Sequence, residues 1–327
     1  MEKKHWIIFL YCLLFISCGE KKVYGEKTNL SIHRFDKDLQ SFLTGNTSQE
    51  ELTAEYNDFL DLYGEEVIGI GRQDSAGFFL RLNQFFSHPD LKQLYADELK
   101  TFEDLSKTEE QLSDGFSFLQ ASFDSIAIPT LCIHVSGLNQ NIIVSEQFIS
   151  IAADKYLGAE YPLYTNFFYD YQRQSMIPER LASDYLLGFL LSTFTPPATN
   201  SSLLDRMLYE GKLRYLLALA LPEHSEAEIM AYTEQQENWC RENKANVWKM
   251  IIQEKHLFSN DQLLIDRYVN EAPYTSPISD QSPGRLGVWV GYQIIKAYMK
   301  ESRNESLQSL MNHTDSQEIL KTSKYKP

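Results

Sequence analysis

A single β-branched tract interrupts a chain whose apolar residues otherwise recur with helical spacing, and this confines the sheet of the fold to one place. Residues 126–135 (IAIPTLCIHV) and 141–152 (NIIVSEQFISIA) are rich in Ile, Val and Thr, residue types that suit a pleated, half-buried surface. A turn region at Gly137-Leu138-Asn139 separates them, so the tract predicts two or three short strands. Before it, Ile32, Phe35, Leu39 and Phe42 fall on one helical face. Ser48-x-x-Glu51 is a capping box that opens a helix pointing Leu52, Tyr56, Phe59 and Tyr63 inward. Further helices are expected over 78–86, 89–102 and 109–123, and after the tract over 178–194, 201–221, 225–237, 243–255, 260–270 and 285–300. The expected fold class is α+β, mostly helical: a single domain of helices around a small sheet. No Pro/Gly/Ser-rich stretch divides the body, and no internal repeat is visible.

The amino terminus reads differently. Met1-Glu2-Lys3-Lys4-His5 supplies a positive start, Trp6 to Ile16 is an apolar run of 11 residues, and Ser17 places a small residue before Cys18. A membrane-spanning helix needs roughly 20 apolar residues, so this run fits a removable export signal over residues 1–17. The small-Cys junction marks a lipoprotein that matures at Cys18. Acyl chains on that cysteine bury methylenes at about 0.8 kcal/mol each, enough for stable anchoring when two or more are present. Residues 18–27 then form the lipidated end and a short linker, and residues 28–327 form the body.

Charge and cysteine usage agree with an exported body. The chain carries 45 acidic and 30 basic residues, a net charge of −15. Such a surface is unsuited to nucleic acid, whose phosphates require a basic face. Anionic lipid would repel it too, leaving the acyl anchor as the membrane attachment. Cys12 leaves with the signal and Cys18 takes the lipid, so Cys132 and Cys240 remain; one disulfide in an oxidising periplasm stays open to them, and two buried thiols are the favoured reading.

Local catalytic motifs are largely missing from the sequence. The histidines are His5, His33, His88, His134, His224, His256 and His313, with no two four apart. A helix-borne HExxH zinc site, which needs two imidazoles on one face, is therefore missing. A G-x-S-x-G elbow, a P-loop and a dinucleotide fingerprint are missing as well. No cofactor and no metal is expected beyond the covalent lipid on Cys18. Two stretches stand out from generic core. In 203–222 (LLDRMLYEGKLRYLLALALP), Glu210 and Lys212 interrupt a long apolar helix beside Gly211. Arg206 and Arg214 each lie one turn from Glu210, so an ion pair is the expected fate of its charge. In 283–299 (PGRLGVWVGYQIIKAYM), Gly284 and Arg285 open a helix on which Gly287 and Gly291 lie one turn apart. That stripe predicts close packing against a neighbouring backbone.

These stretches, together with YGEEVIGIG (63–71), SFDSIAIPTLCIHVSGL (122–138), DKYLG (154–158), WCRENKANVW (239–248), LFS (257–259), SKYKP (323–327) and the lipoprotein start, resemble the gliding-motility lipoprotein GldB family of the Bacteroidetes, in the same order over nearly the whole chain. The resemblance implies a lipid-anchored cell-envelope protein, in the outer membrane, that supports gliding motility and the associated type IX secretion machinery among other envelope proteins. The family in turn resembles zincin-like peptidases, which implies a degenerate zincin-like scaffold. On that scaffold Glu210-Gly211 would be the later helix and 180–191 (RLASDYLLGFLL) the metal helix, with Ser183-Asp184-Tyr185-Leu186-Leu187 where HExxH should stand. Two readings follow: a non-catalytic assembly or interaction module (a pseudo-peptidase), or an envelope hydrolase using Asp184, Glu210 and His134. Stoichiometric zinc in the purified protein would separate them.

Overall fold

The computed structural model describes residues 28–197 and 201–327. The export signal, Cys18 and the linker lie outside the described residues. Within them the chain forms one mostly helical domain with a small three-stranded mixed sheet. Five helices come first: α1 (Phe35–Leu43), α2 (Gln49–Leu62), α3 (Phe78–Phe85), α4 (Pro89–Thr101) and α5 (Ser106–Ser122). The capping box at Ser48 and Glu51 is formed, each side chain satisfying the other residue's backbone N–H. The tract then yields β1 (Thr130–His134), β2 (Ile142–Val144) and β3 (Phe148–Ala152) in the order β1-β3-β2, with β3 parallel to β1 and antiparallel to β2. A short α6 (Asp170–Arg173) leads to α7 (Leu181–Thr193) and the central α8 (Leu203–Ala220). The remaining helices are α9 (Glu226–Met230), α10 (Glu234–Gln253), α11 (Gln262–Val269), α12 (Leu286–Glu301), α13 (Leu307–Asn312) and α14 (Ser316–Ser323).

The alternation of β1 divides the core. Leu131 and Ile133 face a large cluster built with α5, α7, α8 and α12, whereas Cys132 faces a smaller, aromatic cluster built from α1 to α4. The sheet is thus covered on both faces. Its β1 edge is covered as well: His33 donates its N–H to Leu131 O at 2.8 Å and accepts from Ile133 N at 3.1 Å, blunting an otherwise open ladder. Cys132 and Cys240 are free, buried thiols. Among the described residues no helix is long and apolar enough to cross a membrane.

One helix boundary differs from expectation in a way that matters for the site. The expected helices over 225–237 and 243–255 are divided elsewhere: α9 ends at Met230 and α10 runs unbroken over Glu234–Gln253. Ala231 adopts a left-handed conformation (φ 53°) and Tyr232 N bonds Ala227 O at 2.9 Å, a helix-ending pattern. Thr233 then caps α10 through a box with Gln236. The polar residues at 238–242 that suggest a gap are largely the solvent face of α10, with Cys240 turned inward.

Candidate functional site

Glu210 and Asp184 each sit four residues after an arginine, the spacing at which side chains meet along one face. On α8, Arg206 Nη2 lies 3.4 Å from Glu210 Oε1. Arg180, the residue that precedes α7, forms the equivalent pair with Asp184, whose second oxygen accepts from Tyr156 Oη at 2.9 Å. Tyr156 in turn accepts from Asn141 Nδ2 at 3.0 Å, tying the α7 carboxylate to the loop that enters β2. Both carboxylates are recessed, with side-chain exposures of 17% for Asp184 and 15% for Glu210.

The two helices meet at α9. Arg180 donates to Glu228 O, Arg214 Nη1 to Ile229 O at 3.1 Å, and Arg285 Nη2 to Met230 O at 3.0 Å and Ala231 O at 3.3 Å. Three guanidinium groups thereby cover four successive carbonyls at the carboxyl end of α9, where unsatisfied acceptors and the helix dipole favour cations. Arg214 is 5% exposed. Burial pushes its pKa down to about 10, with the positive charges of Arg285 and Arg180 acting in the same direction and the carboxylates of Glu210 and Asp184 opposing them. Asp184 and Glu210 therefore share one electrostatic neighbourhood, centred on Arg214. The ion-pair partner of Glu210 is Arg206; the other arginine one turn away, Arg214, is turned to α9.

His134 does not join them. It is fully buried at the end of β1, its Nδ1 is 2.7 Å from Ser150 Oγ, and Phe59 and Tyr63 pack around its ring. Burial lowers its pKa to about 3. Among the described residues it shares no hydrogen bond or ion pair with either carboxylate. The turn that follows is structural: Gly137 and Leu138 are both left-handed, and the buried Asp154 holds them by accepting from Ser136 N and Leu138 N at 2.8 Å each. Among the described residues no group of three or more His, Cys, Asp or Glu side chains is placed to hold a metal.

The remaining residues singled out in the sequence are taken up by packing. A Cβ on Gly211 would come within 2.3 Å of the Gly291 backbone, and one on Gly291 within 1.7 Å of Met207 O. The α8–α12 crossing is backbone against backbone there. Gly287 faces Tyr268, and Gly284 lies against Ala272 O. Lys212 donates from Nζ to His313 O at 2.6 Å, and burial lowers its pKa to about 8. In the segment compared with HExxH, Ser183 Oγ bonds Arg180 O at 2.9 Å, Tyr185 Oη reaches Cys132 O, and Leu186 packs in the core. Arg180 and Tyr156 escaped the sequence reading. The R-x-x-x-D spacing of Arg180 and Asp184 was the available signal, identical to that of Arg206 and Glu210.

The family model for gliding motility protein GldB, a lipoprotein family, matches residues 19–327. The chain belongs to this family. The match spans every described element and begins one residue after Cys18. No match is found among curated proteins or among solved structures. The family makes this a gliding-motility lipoprotein; it assigns no chemistry to the arginine and carboxylate cluster.

Proposed function

We propose that the protein is an outer-membrane lipoprotein, anchored through Cys18, that serves gliding motility and the associated type IX secretion machinery as a non-catalytic assembly or interaction component. The observation that carries the non-catalytic part is the engagement of its candidate carboxylates. Asp184 is held by Arg180 and Tyr156, and Glu210 by Arg206. A general base or metal-activating carboxylate needs a free lone pair directed at substrate and an orienting partner. Here each pair closes within one helical turn, while Arg180 and Arg214 tie α7 and α8 to α9. On this reading the segment 183–187 is a peptidase-like helix whose metal-binding positions have been given over to packing and ion pairing, a degenerate zincin-like scaffold retained for binding.

The decisive experiment pairs stability with motility in one strain. Glu210→Gln should lower the melting temperature modestly, since a half-shielded ion pair contributes about 1 kcal/mol or less, and gliding should persist. Adding Arg206→Ala should change little more, because the interaction is already lost. Loss of gliding at normal melting temperature and abundance, together with about one chelator-removable zinc per purified chain, would establish the hydrolase reading instead.

A further inference from the structure

More positive charge converges at the end of α9 than helix capping uses. Arg180 and Arg206 are matched by Asp184 and Glu210, but among the described residues Arg214 and Arg285 have no carboxylate within ion-pair distance. The carboxylate of Glu228 accepts from Ser225 N at 2.6 Å at the opposite end of α9, and its charge acts on Arg180 and not on Arg214 or Arg285. Two guanidinium charges therefore face a five-residue helix end, whose dipole offers at most about half a negative charge. This occurs in a chain with a net charge of −15. The Nε donors of Arg180 and Arg214 are moreover buried with no hydrogen-bond partner among the described residues. Two orphaned donors in one cluster are costly unless something accepts from them. The rim is open to solvent: Arg206 retains 27% of its side-chain exposure, and Arg285 is partly exposed.

We propose that Arg180, Arg214 and Arg285, framed by Asp184 and Glu210, form a recessed binding site for a phosphate-type dianion. The number of guanidinium groups without a direct carboxylate partner selects the class. Two guanidinium groups without a direct ion-pair partner match the two charges of hydrogen phosphate or a phosphomonoester, and the arginine fork matches phosphate oxygens with paired N–H donors. Asp184 and Glu210 limit the site to small or singly attached phosphate groups, since a polyphosphate would bring its further charges against them. The site does not depend on the non-catalytic reading, because it concerns what the arginines hold and not whether a reaction follows.

The test titrates inorganic phosphate into the full mature protein, purified in detergent, at constant ionic strength. Saturable heat of binding and a saturable rise in melting temperature are expected, with affinity weakened ~10-fold or more in Arg285→Gln, the loss of one charged hydrogen-bonding group. Phosphate also stabilises proteins by exclusion from their surface, so a non-saturating rise, equal in the native protein and Arg285→Gln, overturns the proposal. If Arg285→Gln fails to fold, calorimetry on the native protein decides, and absence of saturable heat overturns it. Displacement of bound phosphate by soluble glycerol phosphate identifies a soluble phosphomonoester as the source. Displacement only by vesicles containing phosphatidic acid identifies a lipid headgroup.

Discussion

Glu98 is a fully buried carboxyl group with neither oxygen hydrogen-bonded. Burial first, and then the carboxylates of Asp36 and Asp154, hold its pKa well above the usual value of 4.5, so it remains neutral where exposed glutamates ionise. The folded state binds this proton more tightly than the unfolded state. Its contribution to stability is complete below pH 4.5 and is lost as pH rises from there toward the folded pKa. His134 has the opposite sign: its pKa is lowered to about 3 from 6.5, so stability falls as pH drops below 6.5 toward the folded value. Glu98→Met, an unbranched apolar replacement of similar length, should raise stability at pH 8 by about 1 kcal/mol or more and abolish the Glu98 slope. Urea unfolding at several pH values, with and without the substitution, checks this. An unchanged slope between pH 5 and pH 8 would show that Glu98 is not the titrating group.

At the scale of elements, the α8–α12 crossing is the joint on which the arginine cluster depends, because α8 carries Arg214 and Arg285 precedes α12. Gly291→Ala would drive a methyl group to within 1.7 Å of Met207 O, which is backbone and cannot swing aside. Its expected cost is about 2–3 kcal/mol, despite the better helix propensity of alanine. Gly188→Ala on α7 is the control. Its nearest neighbour would be Ile142 Cγ2 at 3.3 Å, the tip of a side chain able to shift, so the change should be within about 1 kcal/mol of neutral. Chemical denaturation of both variants tests the contrast, and equal effects would mean that the helices separate easily. The glycine spacing on α12 was legible in sequence; its exact opposition to Gly211 was not, since one sequence stripe does not name its partner.

For the whole molecule, the proposed lipid anchor makes membrane association depend on Cys18. Removal of residues 1–17 at the proposed processing site would leave a net charge of −16, which anionic lipid repels. Cys18→Ala should move the protein from the membrane fraction to the soluble or secreted fraction, without changing the melting temperature of the body. Fractionation with mass spectrometry of the mature amino terminus checks both halves of this expectation. Persistent membrane association of an unacylated Cys18→Ala protein would place the attachment elsewhere.

Local physics made much of this protein readable before its structure. Helical and strand periodicities located most elements, because burying an apolar face imposes a 3.6- or 2-residue repeat on the sequence itself. The Ser48–Glu51 box and the Arg206–Glu210 pair were readable for the same reason, each being closed within one helical turn. The reading failed where partners are remote. The boundary between α9 and α10 shifted because a left-handed Ala231 and a Thr233 cap end one helix and start the next, with arginines from outside α9 bonding its last carbonyls. Neither the isolation of His134 from Asp184 and Glu210 nor the gathering of Arg180, Arg214 and Arg285 at α9 is encoded in spacing. Both are consequences of how helices far apart in the chain cross, which hydrophobic packing at glycine contacts decides and no local pattern records.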